Sequence, residues 1–166
     1  LAQSDAGLGV AEIANDNANG QVVISGSAGA IAAAGDAMKA AGAKRALPLP
    51  VSAPFHCSLM QPAADAMAQA LATATIDAPS LPVVANVLAT SYADPSQTAD
   101  LLVRQVTGRV RWRESVEWMA AQGVTELVEL GAGAVLGGLT KRIVSDVTAQ
   151  SVGTADGLKG FAESLR

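Results

Sequence analysis

A single histidine, His56, stands in the run Val51-Ser52-Ala53-Pro54-Phe55-His56-Cys57-Ser58, between a predicted strand and a predicted helix. An imidazole on irregular backbone between regular elements is a common mount for a general base, because its ordinary pKa lies near neutrality. The other use for a histidine there is structural, as a cap on the following helix. Cys57, the only cysteine, lies beside it. Residues adjacent in sequence seldom have nucleophile–base geometry, so a buried, inert thiol competes with a reactive one. Arg104, Arg109, Arg111 and Arg113 fall within ten residues with no acid between them. Such a cluster either docks an acidic partner or a phosphate-bearing ligand, or forms a solvated loop paired to acids elsewhere. Gly131-Ala132-Gly133-Ala134-Val135-Leu136-Gly137 follows a predicted strand and opens a helix. Leu136 occupies the place where the dinucleotide fingerprint needs its third glycine, so the glycines are read as serving close strand–helix packing.

One histidine and one cysteine cannot supply a zinc site, and no metal or other cofactor is expected. A lone cysteine also excludes an internal disulfide, which fits a reducing compartment and a cytoplasmic location. No apolar run reaches membrane-spanning length and no signal-peptide layout is present, so no membrane partner is expected. A net charge of −4 lacks the basic footprint of general nucleic-acid binding. The 166 residues suffice for one domain with a core or for two small lobes. Charged residues make up only 16% of the chain, below the usual quarter, which leaves an apolar surface typical of a larger assembly or a cut domain. Beginning at Leu1 instead of Met, the chain reads as a piece of a longer protein.

Positioning these residues requires the following elements. A short strand is predicted over 9–15, a turn over the Asn- and Gly-rich 15–20, and a β-branched strand over 21–25, giving a hairpin. Ser27 caps a helix whose apolar stripe is Ile31, Ala34, Met38 and Ala41, with Gly42 as its stop. A strand over 45–49 ends at Pro48 and Pro50. Ser58 and Gln61 match a capping box opening a helix with a stripe of Leu59, Ala63, Met67, Ala70 and Ala74 that frays before Pro79. Beyond a linker come a strand over 83–88, a loop over 91–97 and a helix over 99–106. A basic connection over 109–113 leads to a helix over 114–122. Then follow a strand over 125–130, the glycine turn, a helix bearing Leu136, Leu139 and Ile143, a strand over 147–152 and a helix over 156–165. The part before Pro79 suits a small α+β lobe, and the alternation after it suits part of a parallel α/β sheet.

Five segments carry a resemblance. They are Asn17-Ala18-Asn19-Gly20-Gln21-Val22-Val23-Ile24-Ser25-Gly26, the run from Ala41-Gly42-Ala43-Lys44-Arg45 through Ala53-Pro54-Phe55-His56, and the set Leu102-Val103-Arg104-Gln105-Val106, Trp112-Arg113-Glu114-Ser115-Val116 and Gly131-Ala132-Gly133-Ala134-Val135-Leu136. In this order the chain resembles the C-terminal half of the malonyl-CoA:acyl carrier protein transacylases. The resemblance implies an α/β fold: a partial α/β-hydrolase-like large subdomain over 53–166, with part of an inserted ferredoxin-like α+β subdomain over 1–52. It implies malonyl transfer from coenzyme A to acyl carrier protein in fatty acid biosynthesis, with malonyl-CoA, acyl carrier protein and the N-terminal half of the enzyme as partners. The coenzyme A thioester enters as substrate, and no separate cofactor is implied.

Position by position, His56 matches the family's catalytic histidine, which deprotonates a serine and later protonates the leaving thiol. Gln105 matches the residue whose backbone carbonyl accepts the other imidazole N–H, and Asn17 matches an asparagine lining the cleft. Phe55 matches a position where Phe accompanies malonyl and Ser accompanies the bulkier methylmalonyl group. The family's Gly-His-Ser-x-Gly nucleophile elbow is absent from this chain, whose only histidine is His56. The family's carboxylate-binding arginine belongs to the N-terminal half, so this chain alone is not expected to be active. Two other readings are a non-catalytic carrier-protein docking module on the same scaffold and a small cysteine hydrolase using Cys57.

Overall fold

The computed structural model describes residue 7 and residues 9–165, and shows a mixed α/β chain of six strands and six helices among them. The rest of the predicted lobe over 1–52, residues 1–6 and 8, lies outside the described residues. β1 (Ala11–Ala18) and β2 (Gln21–Gly26) form an antiparallel hairpin, pairing Ala18 with Gln21 across Asn19-Gly20. The predicted turn over 15–20 is thereby corrected: β1 continues through Ala18, and only Asn19 and Gly20 turn. The turn preference of Asn15, Asp16 and Asn17 is overridden because β1 is held on both edges. Its ladder to β2 is irregular between Ile13 and Asn15 and between Asp16 and Ala18. On the other edge, Asp16 N–H donates to the Val110 carbonyl at 2.8 Å and Val110 N–H to the Ala14 carbonyl at 2.7 Å. Alternation then buries Ala14, Asp16 and Ala18, on a strand that packs against the helices Trp112–Ala121 and Val135–Ile143.

Helix α1 (Ala28–Ala40) follows at the predicted place and stops at Gly42. With φ at +95°, Gly42 completes a Schellman motif, its N–H donating to the Lys39 carbonyl and the Ala43 N–H to that of Met38. Ser27 stands at the N-cap, but its hydroxyl accepts the Val10 N–H at 3.1 Å and caps no helical amide.

The predicted strand over 45–49 is not formed. Residues 45–51 join no ladder, the Val51 N–H turns back to the Leu49 carbonyl at 2.8 Å, and Leu47, Leu49 and Val51 are exposed. Pro48 and Pro50 donate no ladder bonds, and no strand edge among the described residues runs alongside. The capping box is also corrected. Residues Ser58–Met60 form a 3₁₀ turn before α2 (Gln61–Leu71), Ser58 is engaged elsewhere, and the Gln61 amide bonds Asp65 at 2.8 Å. Helix α2 ends at Leu71, well short of Pro79, and buries Ala64, whereas Met67 of the predicted stripe is exposed.

The predicted strand over 83–88 is a tight hairpin of β3 (Val84–Ala85) and β4 (Thr90–Ser91), closed by Ala89 at φ +58°. Helix α3 (Thr98–Thr107) packs on α2, and α4 (Trp112–Ala121) starts two residues before its predicted position. β5 (Glu126–Leu130) and β6 (Thr148–Val152) pair in parallel across α5 (Val135–Ile143), and α6 (Ala155–Ser164) closes the order. That β–α–β unit is the parallel α/β element expected from the alternation.

The glycine turn before α5 has a different reason from the predicted one. Gly131 and Gly133 have open space where a Cβ would go and take φ of +137° and +95°, so backbone conformation requires them. Close packing belongs to Gly137, where a Cβ would meet Ser151 Oγ at 3.3 Å.

Candidate active site around His56

His56 follows no strand. It sits in a turn between the unladdered proline-containing segment and the 3₁₀ turn, at φ +58°. A non-glycine residue in this left-handed region costs on the order of 1–3 kcal/mol and persists only where its surroundings over-determine it. Two sets of contacts do so here. On the ring side, Nδ1 lies 3.3 Å from the Gln105 carbonyl and 3.1 Å from that of Gly108. On the chain side, the Glu12 carboxylate of β1 accepts the Ser58 N–H at 3.0 Å and the Ser58 hydroxyl at 2.6 Å. The first helical turn after His56 is therefore capped from β1, not from its own sequence.

The ring partners assign the tautomer. Carbonyl oxygens only accept, so Nδ1 carries the proton and Nε2 presents its lone pair. None of the described residues hydrogen-bonds Nε2, and the ring is half-buried. A neutral imidazole so held can take a proton at Nε2 and return it, the requirement for acid–base work in acyl transfer.

The structure brings His56 and Gln105 together, with Phe55 preceding the histidine at 47% exposure. Asn17 lies half-buried on β1 and makes no hydrogen bond to either among the described residues. Cys57 is fully buried, its thiol donating to the Pro54 carbonyl at 3.1 Å, which removes it as an accessible nucleophile.

The arginine cluster is internally paired. Arg109 and Arg111 both bond Glu114, whose carboxyl the Arg111 guanidinium holds below the usual carboxylate range. Arg111 also donates to the carbonyls of Val87 (3.1 Å) and Leu88 (2.9 Å). Arg113 binds Asp16 and Glu117, and Arg104 meets Asp100 at 3.4 Å. The acids missing from the ten-residue window come from the flanking turns of the helices over 98–107 and 112–121 and from β1. The amide end of α5 is likewise taken: the Glu129 carboxylate accepts the N–H groups of Leu136 (3.1 Å) and Gly137 (3.0 Å), and the Gly137 bond first among them lowers its pKa. An internal anion thus fills the place a phosphate would need. Among the described residues no three His, Cys, Asp or Glu side chains gather to hold a metal ion, and no helix is long and apolar enough to cross a membrane.

Sequence reasoning missed Glu12, Asn86 and Gly108. Asn86 alone carried a signal, as the one polar residue between Val83-Val84-Ala85 and Val87-Leu88.

No family model matches the chain. A malonyl CoA-acyl carrier protein transacylase of Salmonella typhimurium is 56% identical over 138 residues, 83% of this chain and 45% of that protein. The Haemophilus influenzae protein of the same name is 46% identical over 94% of this chain and 50% of its own length. By sequence, this chain is similar to the C-terminal half of the malonyl CoA-acyl carrier protein transacylases. It spans about half the length of these curated relatives. The folds agree: an acyl-carrier-protein-S-malonyltransferase from Bartonella henselae matches with a TM-score of 0.88 at 52% identity, over 94% of this chain and 50% of that one. A malonyl-transacylase solved in complex with its type II PKS acyl-carrier protein matches with a TM-score of 0.89 at 47% identity, over the same shares.

Proposed function

We propose that this chain is the base-bearing part of a malonyl-CoA:acyl carrier protein S-malonyltransferase of fatty acid biosynthesis. The observation that carries the reading is the His56 ring, held by two carbonyls through Nδ1 with Nε2 unbonded among the described residues. It occurs in a chain whose relatives are named malonyl CoA-acyl carrier protein transacylases. In the reaction, Nε2 takes the proton of a serine hydroxyl supplied by the N-terminal half. The serine oxygen attacks the thioester carbon, the C–S bond breaks, and the imidazolium protonates the departing coenzyme A sulfur. The phosphopantetheine thiol of acyl carrier protein then gives its proton to Nε2 and takes the malonyl group from the ester, and the serine recovers its proton.

Residues 1–52 are read as the later part of a ferredoxin-like small subdomain, supported by the β1–β2 hairpin and α1. Residues 53–166 are read as part of an α/β-hydrolase-like large subdomain, supported by the parallel β5–α5–β6 unit. Asn17 is assigned to the cleft on the strand that reaches the His56 segment through Glu12. A docking module without catalysis has less support, because the arginines that would form its dock are already paired.

The intact protein, incubated with malonyl-CoA, is expected to retain one malonyl ester and to pass it to the phosphopantetheine thiol of acyl carrier protein. Mass spectrometry reads both steps, and failure to load or to transfer ends the proposal. The exposed ring of Phe55 beside His56 is expected to exclude one extra methyl group. Phe55→Ser should therefore raise the methylmalonyl-to-malonyl ratio of kcat/KM by roughly 10–200-fold. An unchanged ratio would remove Phe55 from substrate selection.

A further inference from the structure

The imidazole is oriented by peptide carbonyls where other acyl-transfer sites use a carboxylate. A carbonyl cannot be aimed by its own side chain, so something else must fix the loop that bears it. That loop runs from Gln105 at the end of α3 to Arg111 before α4, and its interior is held by side-chain amides. The Gln105 Nε2 donates to the Gly108 carbonyl at 3.0 Å, the same oxygen that receives His56 Nδ1–H. The Gln105 Oε1 accepts from Asn86 Nδ2. Asn86 Nδ2 also donates to the Arg109 carbonyl at 3.2 Å, and Asn86 Oδ1 accepts the Arg111 N–H at 2.9 Å.

Asn86 thus uses both amide hydrogens and its oxygen on one loop, and Gln105 passes the constraint to Gly108. Gly108 leaves no slack of its own: a Cβ there would lie 2.7 Å from the Arg104 carbonyl. Resting on the acyl-transfer reading for its catalytic consequence, we propose that the side-chain amides of Asn86 and Gln105 are positioning groups that aim the Gly108 carbonyl at His56, beside the Gln105 carbonyl that α3 itself carries. They thereby select the imidazole tautomer with a free Nε2. A purely structural clamp would stabilise the loop without governing which ring nitrogen carries the proton.

The variants are Asn86→Asp and Gln105→Glu in the intact protein, which keep size and acceptors but remove the donors. Histidine labelled with nitrogen-15 reports the tautomer, with the His56 signals assigned by their loss in His56→Ala. Both variants should move His56 toward the Nε2–H form and lower kcat about 10–100-fold while leaving the KM for malonyl-CoA within about 2-fold. An unaltered tautomer in both variants would overturn the proposal, whatever happens to kcat, as would an altered tautomer at unchanged kcat. If His56→Ala itself transfers malonyl normally, the acyl-transfer reading falls, while the nitrogen-15 spectra still decide whether the amides set the tautomer.

Discussion

Replacing His56 by Ala in the intact protein should slow malonyl transfer by about 10²–10⁴-fold, the usual worth of a positioned general base. The loss belongs to kcat. As a general base His56 would meet a proton in flight and not hold the bound thioester, so the KM for malonyl-CoA should stay close to its parent value. His56→Gln is the sharper companion variant: its amide can still donate to the carbonyls of Gln105 and Gly108, which now sit 3.3 and 3.1 Å from Nδ1. The backbone at φ +58° would keep its anchor, yet no titratable nitrogen would remain. Single-turnover loading measured by rapid quench should therefore be equally slow in both variants, although His56→Gln folds more stably. Loading within 3-fold of the parent in His56→Gln, a change of only about 0.65 kcal/mol in barrier, would show that the imidazole is not the base.

Features with local causes were legible in the chain. β2 follows from the β-branched Val22-Val23-Ile24, and the end of α1 from Gly42, whose left-handed conformation closes the Schellman motif. The parallel β5–α5–β6 unit follows from two strand patterns separated by a helical one. The errors share one physical source, which is that distant partners override local preference. Asn15, Asp16 and Asn17 favour a turn until both edges of the strand are bonded, one of them by Val110 almost a hundred residues later. Ser58 and Gln61 have the types of a capping box, but Glu12 takes the Ser58 amide first. Residues 45–49 have strand composition and no ladder beside them. At the site, a single imidazole could be singled out by type. The oxygens that choose its tautomer belong to main chain, and main chain carries no letter in a sequence. Asn86 and the Gln105 side chain act only through that main chain, so their part became visible once the loop was folded.

The ion pair between Asp16 and Arg113 should carry the largest single-residue effect on stability. Asp16 is 8% exposed, and it accepts from Arg113 Nε at 3.0 Å and from Nη2 at 2.7 Å, a two-pronged contact between β1 and α4. That hydrogen bonding to Asp16 is the first cause holding the guanidinium charged well above its ordinary range. Removing the acid strands a partly buried cation, which typically costs 3–5 kcal/mol. Arg113 is 30% exposed and keeps Glu117 at 3.0 Å, so Asp16→Ala should cost about 2–3 kcal/mol in the intact protein, read by urea denaturation. The exposed pair of Arg104 and Asp100 gives the contrast: Arg104→Ala should change stability by less than about 0.5 kcal/mol. A double replacement, Asp16→Leu with Arg113→Met, should recover much of the loss, because apolar groups of similar volume need no mutual charge. Equal stability of Asp16→Ala and the parent would mean that desolvation already cancels the attraction. The consequence reaches the site, since Glu12 leaves the same strand to hold Ser58 two residues from His56. A β1 loosened from α4 holds that segment less firmly, so Asp16→Ala should also depress kcat, and the Leu/Met pair should restore it in step with stability.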